Sequence, residues 1–203
     1  EVNVESLAKL DNPWGMAFLP DGKLLITEKP GRLRIYENGK LSEPISGVPE
    51  VDYRGQGGLL DVTIDPNFST NSYVYLSYAE PAKEQPKDAK DERDPRIGNE
   101  QDLKDVTLKG LAVARGVLDG NALRNVEVIW RQEPKMIGRG HFGGRIVFAP
   151  DGTLFITSGD RQRFTPAQDL SSNSGKVLRI NPDGSAPKDN ALAGKEGRPD
   201  IYS

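Results

Sequence analysis

"FLPDGKLLIT" (Phe18–Thr27) and "FAPDGTLFIT" (Phe148–Thr157) are one ten-residue unit written twice, with seven identities at an offset of 130 residues. Each copy predicts a β-hairpin. Pro presets φ, Asp caps its own turn and Gly accepts positive φ, with strand-forming residues on both sides. The likeness runs on past the hairpin: "GRLRIYENG" (Gly31–Gly39) parallels "GKVLRINPDG" (Gly175–Gly184), so each copy gains a third strand built on Leu-Arg-Ile. The unit is a meander of at least three strands.

A weaker copy lies between the two. "GLLDVTIDPNFSTNSYVYLSY" (Gly58–Tyr78) reads as strand, Asp-Pro-Asn turn, strand, and its outer strands are expected at "LAVARGVL" (Leu111–Leu118) and "VEVIWR" (Val126–Arg131). Repeated antiparallel meanders of this size are the signature of a β-propeller, whose blades bury their faces against one another. The expected fold is therefore all-β, a single propeller domain over residues 1–203 with three blades at about 10–45, 55–135 and 138–203. A stretch rich in charge, Pro81–Asp105, interrupts the middle blade and reads as a solvated excursion, with a lid over a substrate as the lesser alternative.

Composition narrows the function. The 203 residues carry a formal net charge of -3, so there is no cationic excess to attract nucleic acid or an anionic membrane, and a small molecule is the expected partner. No apolar run reaches the roughly 18 residues of a membrane span. The first residues, "EVNVESLAKL", lack the basic-then-apolar pattern of a secretory signal, which fits a cytosolic chain or one whose signal has been removed. With no Cys, disulfides, thiolate metal sites and Cys nucleophiles are excluded.

His141 is the one histidine of the chain. In a meander, the loop leading into strand one and the loop leaving strand two share one end of the sheet. His141 leads into the first strand of the third unit and Asp160 leaves its second, so the two are expected to be neighbours on one rim. "RGQGG" (Arg54–Gly58), which leads into the middle unit, opens on the same rim. A neutral imidazole is a good general base, and a carboxylate on its other N–H fixes the tautomer and stabilises the imidazolium. His141 and Asp160 fit those roles, with glycines 138, 140, 143 and 144 leaving room for a flat ligand. The plainer alternative stays open: His141 bonded to backbone, Asp160 capping a Gly-Asp turn, and the glycines serving packing alone.

"LDNPWGMAFLPDGKLLITEKPGRLRI", "GQGGLLDVTIDPNF", "GHFGGRIVFAPDGTLFITSGDR" and "GKVLRINPDGSAPKDN" together resemble the soluble quinoprotein aldose sugar dehydrogenases, the glucose/sorbosone dehydrogenase family. The resemblance covers nearly the whole chain. It implies a six-bladed propeller that oxidises aldose sugars at the anomeric carbon to lactones, with pyrroloquinoline quinone (PQQ) as acceptor and calcium as support. It also implies the general base at His141, its orienting carboxylate at Asp160, and Gln56 against cofactor and substrate. His141 thereby counts among the cofactor contacts as well.

PQQ carries three carboxylates, so cations are expected around it. Arg139, Arg145 and Arg161 are candidates; Arg145 sits within a strand where a structural salt bridge is an equal reading, and Arg161 ranks first. No calcium ligand is identifiable in the sequence. The resemblance further implies an electron acceptor, a periplasmic or secreted location with the signal removed, and a C-terminal half of the ring on this or a separate chain, since the family continues beyond "GRPDIYS" (Gly197–Ser203). Two rival classes remain, a metal-dependent propeller lactonase and a non-catalytic binding propeller. Neither requires a His beside a Gly-Asp turn.

Overall fold

A computed structural model describes residues 2–88 and 104–203. Most of the charged stretch 81–105, residues 89–103, lies outside the described residues. Among the described residues, eleven strands form three antiparallel sheets. The first sheet is β1 (Pro13–Phe18), β2 (Leu24–Glu28), β3 (Arg32–Glu37) and β4 (Lys40–Leu41), paired in chain order. The second is β5 (Leu59–Ile64), β6 (Tyr73–Pro81), β7 (Lys109–Asp119) and β8 (Ala122–Arg131), and the third is β9 (Gly143–Phe148), β10 (Leu154–Ser158) and β11 (Lys176–Ile180). The outer strands expected at 111–118 and 126–131 thus run a few residues longer than their apolar patterns.

The two Pro-Asp-Gly turns close alike. Leu19 N–H donates to Lys23 C=O at 2.8 Å and Gly22 N–H to Leu19 C=O at 2.9 Å; the second copy repeats this through Ala149, Thr153 and Gly152, both bonds at 2.9 Å. Gly22 and Gly152 take φ of +86° and +82°, the left-handed conformation a three-residue hairpin loop demands.

The middle sheet is buried on both faces, and its sequence shows why. Along β6, Val74, Leu76 and Tyr78 join one apolar cluster with Leu25 and Leu33 of the first sheet. The intervening Tyr75 and Ala79 join a second cluster with Ile146, Leu154, Ile156 and Leu178 of the third. β7 repeats the division, with Ala112 and Ala114 on one side and Leu111 and Val113 on the other. A strand sandwiched in this way reads as an unbroken apolar run rather than an alternation.

The first strands of the sheets stand side by side, β5 touching both β1 and β9. Polar groups fasten them. Thr27 Oγ1 donates to Leu60 C=O and Ser77 Oγ to Gly144 C=O. The buried Asp61 of β5 accepts Ile146 N–H at 3.0 Å and the Arg145 guanidinium at 3.0 Å, so Arg145 takes the structural role. In all three sheets the pairing of the first two strands slips near the same end, at Pro13/Met16, at Leu59/Val62 and opposite Gly143 at Ile156/Ser158. Such bulges re-aim side chains at sheet rims. Among the described residues, no helix is long and apolar enough to cross a membrane.

A histidine–carboxylate pair on the rim

His141, Asp160 and Gln56 come from three different loops and meet at this bulged end. The lead-in loops of β5 and β9 are joined first: Gln56 N–H donates to Arg139 C=O at 2.8 Å, and His141 N–H returns a bond to Gln56 Oε1 at 2.8 Å. His141 adopts φ of +50°, a left-handed conformation in which His is enriched among non-glycine residues. Its Nδ1 then lies 2.7 Å from Asp160 Oδ1, on the loop that leaves β10. A carboxylate acceptor requires the proton on Nδ1, which leaves the Nε2 lone pair as the basic site. Nε2 has no hydrogen-bond partner among the described residues, and the side chain is 49% exposed. The geometry is one in which Nε2 can accept a proton while the carboxylate orients the ring.

Asp160 also makes its turn. The same Oδ1 accepts Gln162 N–H at 2.9 Å, so the expected alternatives of turn cap and imidazole partner coexist in one oxygen. Behind it Arg161 and Gln162 both take left-handed φ, +55° and +58°. Strain of this kind costs on the order of 1 kcal/mol or more per residue and collects at functional sites.

Arg161 does not fit its expected role as a cofactor cation. It is 1% exposed, and its Nε, Nη1 and Nη2 donate to the C=O groups of Gly140, Lys109 and Gly138 at 2.9, 2.9 and 2.7 Å. Each of its three nitrogens is thus engaged with a protein carbonyl. Gly140, Gly143 and Gly144 likewise face protein rather than open space: a Cβ at Gly140 would stand 2.7 Å from the Gln162 side chain, and one at Gly144 2.8 Å from Leu60.

Beneath the rim lies a buried ion cluster. Lys109 Nζ, with no exposure, contacts Asp105 at 2.7 Å and Asp52 at 3.1 Å, and Arg54 pairs with both carboxylates. Arg139 reaches Asp105 at 3.8 Å. Burial disfavours the charge on Asp52, yet Arg54 and Lys109 hold its carboxyl below the usual range; at Asp105, burial is likewise outweighed by Lys109 and by Thr107 N–H. These cations are committed to structure. Lys29, which the sequence reading missed, differs. It leaves β2 onto the same rim, donates to Gly55 C=O at 3.1 Å beside Gln56, and has no carboxylate partner among the described residues. Burial lowers its pKa. The meander logic that placed Asp160 points to Lys29 as well.

Fold and site together define an all-β protein that carries a histidine–carboxylate pair on the rim of adjoining sheets. The comparisons make this particular. The family described as Glucose / Sorbosone dehydrogenase matches residues 10–203, and the chain belongs to that family. It is 40% identical over 208 residues to the aldose sugar dehydrogenase YliI of Escherichia coli K12, covering all of this chain and 50% of that protein. The apo structure of the soluble aldose sugar dehydrogenase of E. coli superposes with a TM-score of 0.80 at 38% identity, over 95% of this chain and 50% of its own. The PQQ-bound aldose sugar dehydrogenase of Streptomyces coelicolor gives a TM-score of 0.71 at 27% identity, over 93% of this chain and 50% of its own. The chain thus spans about half the length of these relatives.

Proposed function

We propose that this chain is the part of a PQQ-dependent aldose sugar dehydrogenase that carries the general base. The observation behind this is the His141–Asp160 pair, with Nε2 unpartnered beside the exposed Gln56. The side-by-side first strands of three sheets, each fastened to the next, support a propeller of which these are three blades, six in all by resemblance to the family. A second part of the ring, on this or another chain, belongs to the same reading and is supported by the doubled length of the relatives. So does a periplasmic location, which rests on the family resemblance alone.

The residues present fit the cofactor. Gln56, its Oε1 taken by His141 N–H, keeps its amide donors for a ligand, and Lys29 supplies a partly desolvated cation for a carboxylate. When bound, PQQ supplies the quinone that accepts the two electrons leaving the anomeric carbon. His141 Nε2 takes the proton of the anomeric hydroxyl. Asp160 holds the ring in the tautomer that can do so and stabilises the imidazolium that results. Among the described residues, no group of three His, Cys, Asp or Glu side chains could hold a metal ion, and calcium rests on the family resemblance alone.

The test is direct. The full-length apo protein, reconstituted with PQQ in calcium-containing buffer, should bleach the oxidised quinone band when an aldose is added. Tight PQQ binding with no bleaching by any aldose would leave a binding protein and overturn the reading.

A further inference from the structure

We propose that Arg161 is a positioning residue for the reaction at His141, a buried clamp on the segment that carries the imidazole. Its main-chain N–H donates to His141 C=O at 3.2 Å, while the guanidinium takes the C=O of Gly138 at 2.7 Å and of Gly140 at 2.9 Å. One residue thus holds three of the four carbonyls of 138–141. The segment has no ladder of its own, since β9 begins only at Gly143. The remaining guanidinium bond, to Lys109 C=O at 2.9 Å, ties the clamp to the residue whose ammonium contacts Asp52. Asp52 in turn accepts Arg54 N–H at 3.1 Å, at the base of the loop that presents Gln56. Both loops that meet at the imidazole are therefore referred to Arg161.

The chemistry calls for arginine. Carbonyls on three separate residues are met by a flat fork with donors at fixed angles, whereas a lysine offers three donors at one point. The fork is braced from one side by the Phe142 ring, with the guanidinium carbon 3.9 Å from the ring centroid. Its backbone, at φ of +55°, follows directly on Asp160, so the carboxylate and the clamp on the imidazole's own loop are successive residues of one strained turn. Small displacements matter here, because an error of about 1 Å in a reacting group can cost about a hundredfold in rate.

The experiment uses R161K in the full-length protein, which keeps the charge and loses the fork. Turnover should fall about tenfold or more at saturating sugar, with KM for the aldose and the affinity for PQQ within about threefold of wild type. The activity readout rests on the dehydrogenase reading, so a second readout does not: the imidazole ¹⁵N signals of His141, identified by their loss in His141→Gln. At about pH 9, above the ordinary imidazole range, the wild type should show the Nδ1–H form and R161K a mixture with the Nε2–H form. An unchanged tautomer in R161K overturns the clamp, whatever the turnover. A shifted tautomer with wild-type turnover overturns its part in the reaction. Wild type that oxidises no sugar would end the dehydrogenase reading and leave the tautomer comparison to decide the clamp. Hydrogen exchange in the wild type covers an R161K that does not fold. The Arg161 Nε–H and the His141 amide should open together, and free exchange at His141 while Arg161 stays protected overturns the proposal.

Discussion

Asp160 Oδ1 receives His141 Nδ1 at 2.7 Å and Gln162 N–H at 2.9 Å, so a single oxygen both shapes the loop and orients the imidazole. The two duties separate by substitution. In Asp160→Asn the amide oxygen still accepts Gln162 N–H, but the charge that stabilises an imidazolium is gone. Turnover should fall by about tenfold to a hundredfold while the urea midpoint stays near wild type. Asp160→Ala loses the turn acceptor too and should cost about 1 kcal/mol more in stability. Wild-type turnover in Asp160→Asn would reduce Asp160 to a turn residue.

His141 itself is best replaced by Asn, which tolerates the left-handed backbone at φ of +50° and so leaves the loop unstrained. His141→Asn should bind PQQ within about threefold of wild type, because Gln56 Oε1 is held by the main-chain N–H and not by the ring. Turnover should drop about a hundredfold or more, the usual worth of a general base. Steady-state rates against PQQ titrations decide it; turnover within about threefold of wild type refutes the assignment.

Asp61 links the middle and third sheets. Its two oxygens take Ile146 N–H and the Arg145 guanidinium at 3.0 Å each, and the carboxylate is buried. Removing it strands a buried amide and frees a cation that also lies over the Trp14 ring at 4.5 Å. Asp61→Ala should lose about 1–3 kcal/mol, the cost of leaving the buried Ile146 amide without an acceptor, since the Arg145 side chain left behind is exposed. Chemical denaturation of the full-length protein measures it, and Arg145→Met, which leaves the buried Asp61 carboxylate without its cation, should lose at least as much.

The hairpins were legible because Pro-Asp-Gly and alternating apolar residues are local signals. The meeting of His141 with Asp160 was legible for a different reason: strand order in a meander fixes which loops share a rim, whatever the side chains do. Gln56 entered through family resemblance, and the structure brings it within 2.8 Å of the His141 amide. Arg161 was misread because sequence says that a cation is near but not whether its donors face carbonyls or solvent, and only burial and three bond directions distinguish those cases. Lys29 was passed over because Lys-Pro-Gly (29–31) after β2 reads as a plain turn between strands. The glycines at 140 and 144 read as ligand room, yet an absent side chain records close approach without naming the neighbour, here Gln162 and Leu60.

The buried ion cluster under the rim sets the acid response. Asp52 and Asp105 both titrate below the usual carboxylate range, the attraction of Arg54 and Lys109 outweighing burial at Asp52 and that of Lys109 and Thr107 N–H doing so at Asp105. A carboxyl whose folded pKa is depressed binds its proton more readily when unfolded, so it stabilises the fold at any pH above the ordinary value near 3.8. That contribution fades as pH falls through the folded values. Stability should therefore be nearly level from neutral pH down to about 5 as far as this pair is concerned, and decline steeply below about 4. Lys109→Met removes the central cation and leaves two carboxylates facing each other's charge. It should destabilise the protein at pH 7 by about 3 kcal/mol and flatten the decline in acid, because the carboxyls then titrate nearer their unfolded values. Urea unfolding across this pH range, wild type beside Lys109→Met, makes the comparison. Parallel curves, offset but equally steep below pH 4, would show that the acid response arises elsewhere, with the Glu28 pair to Arg32 and Arg34 in the first sheet as the next place to look.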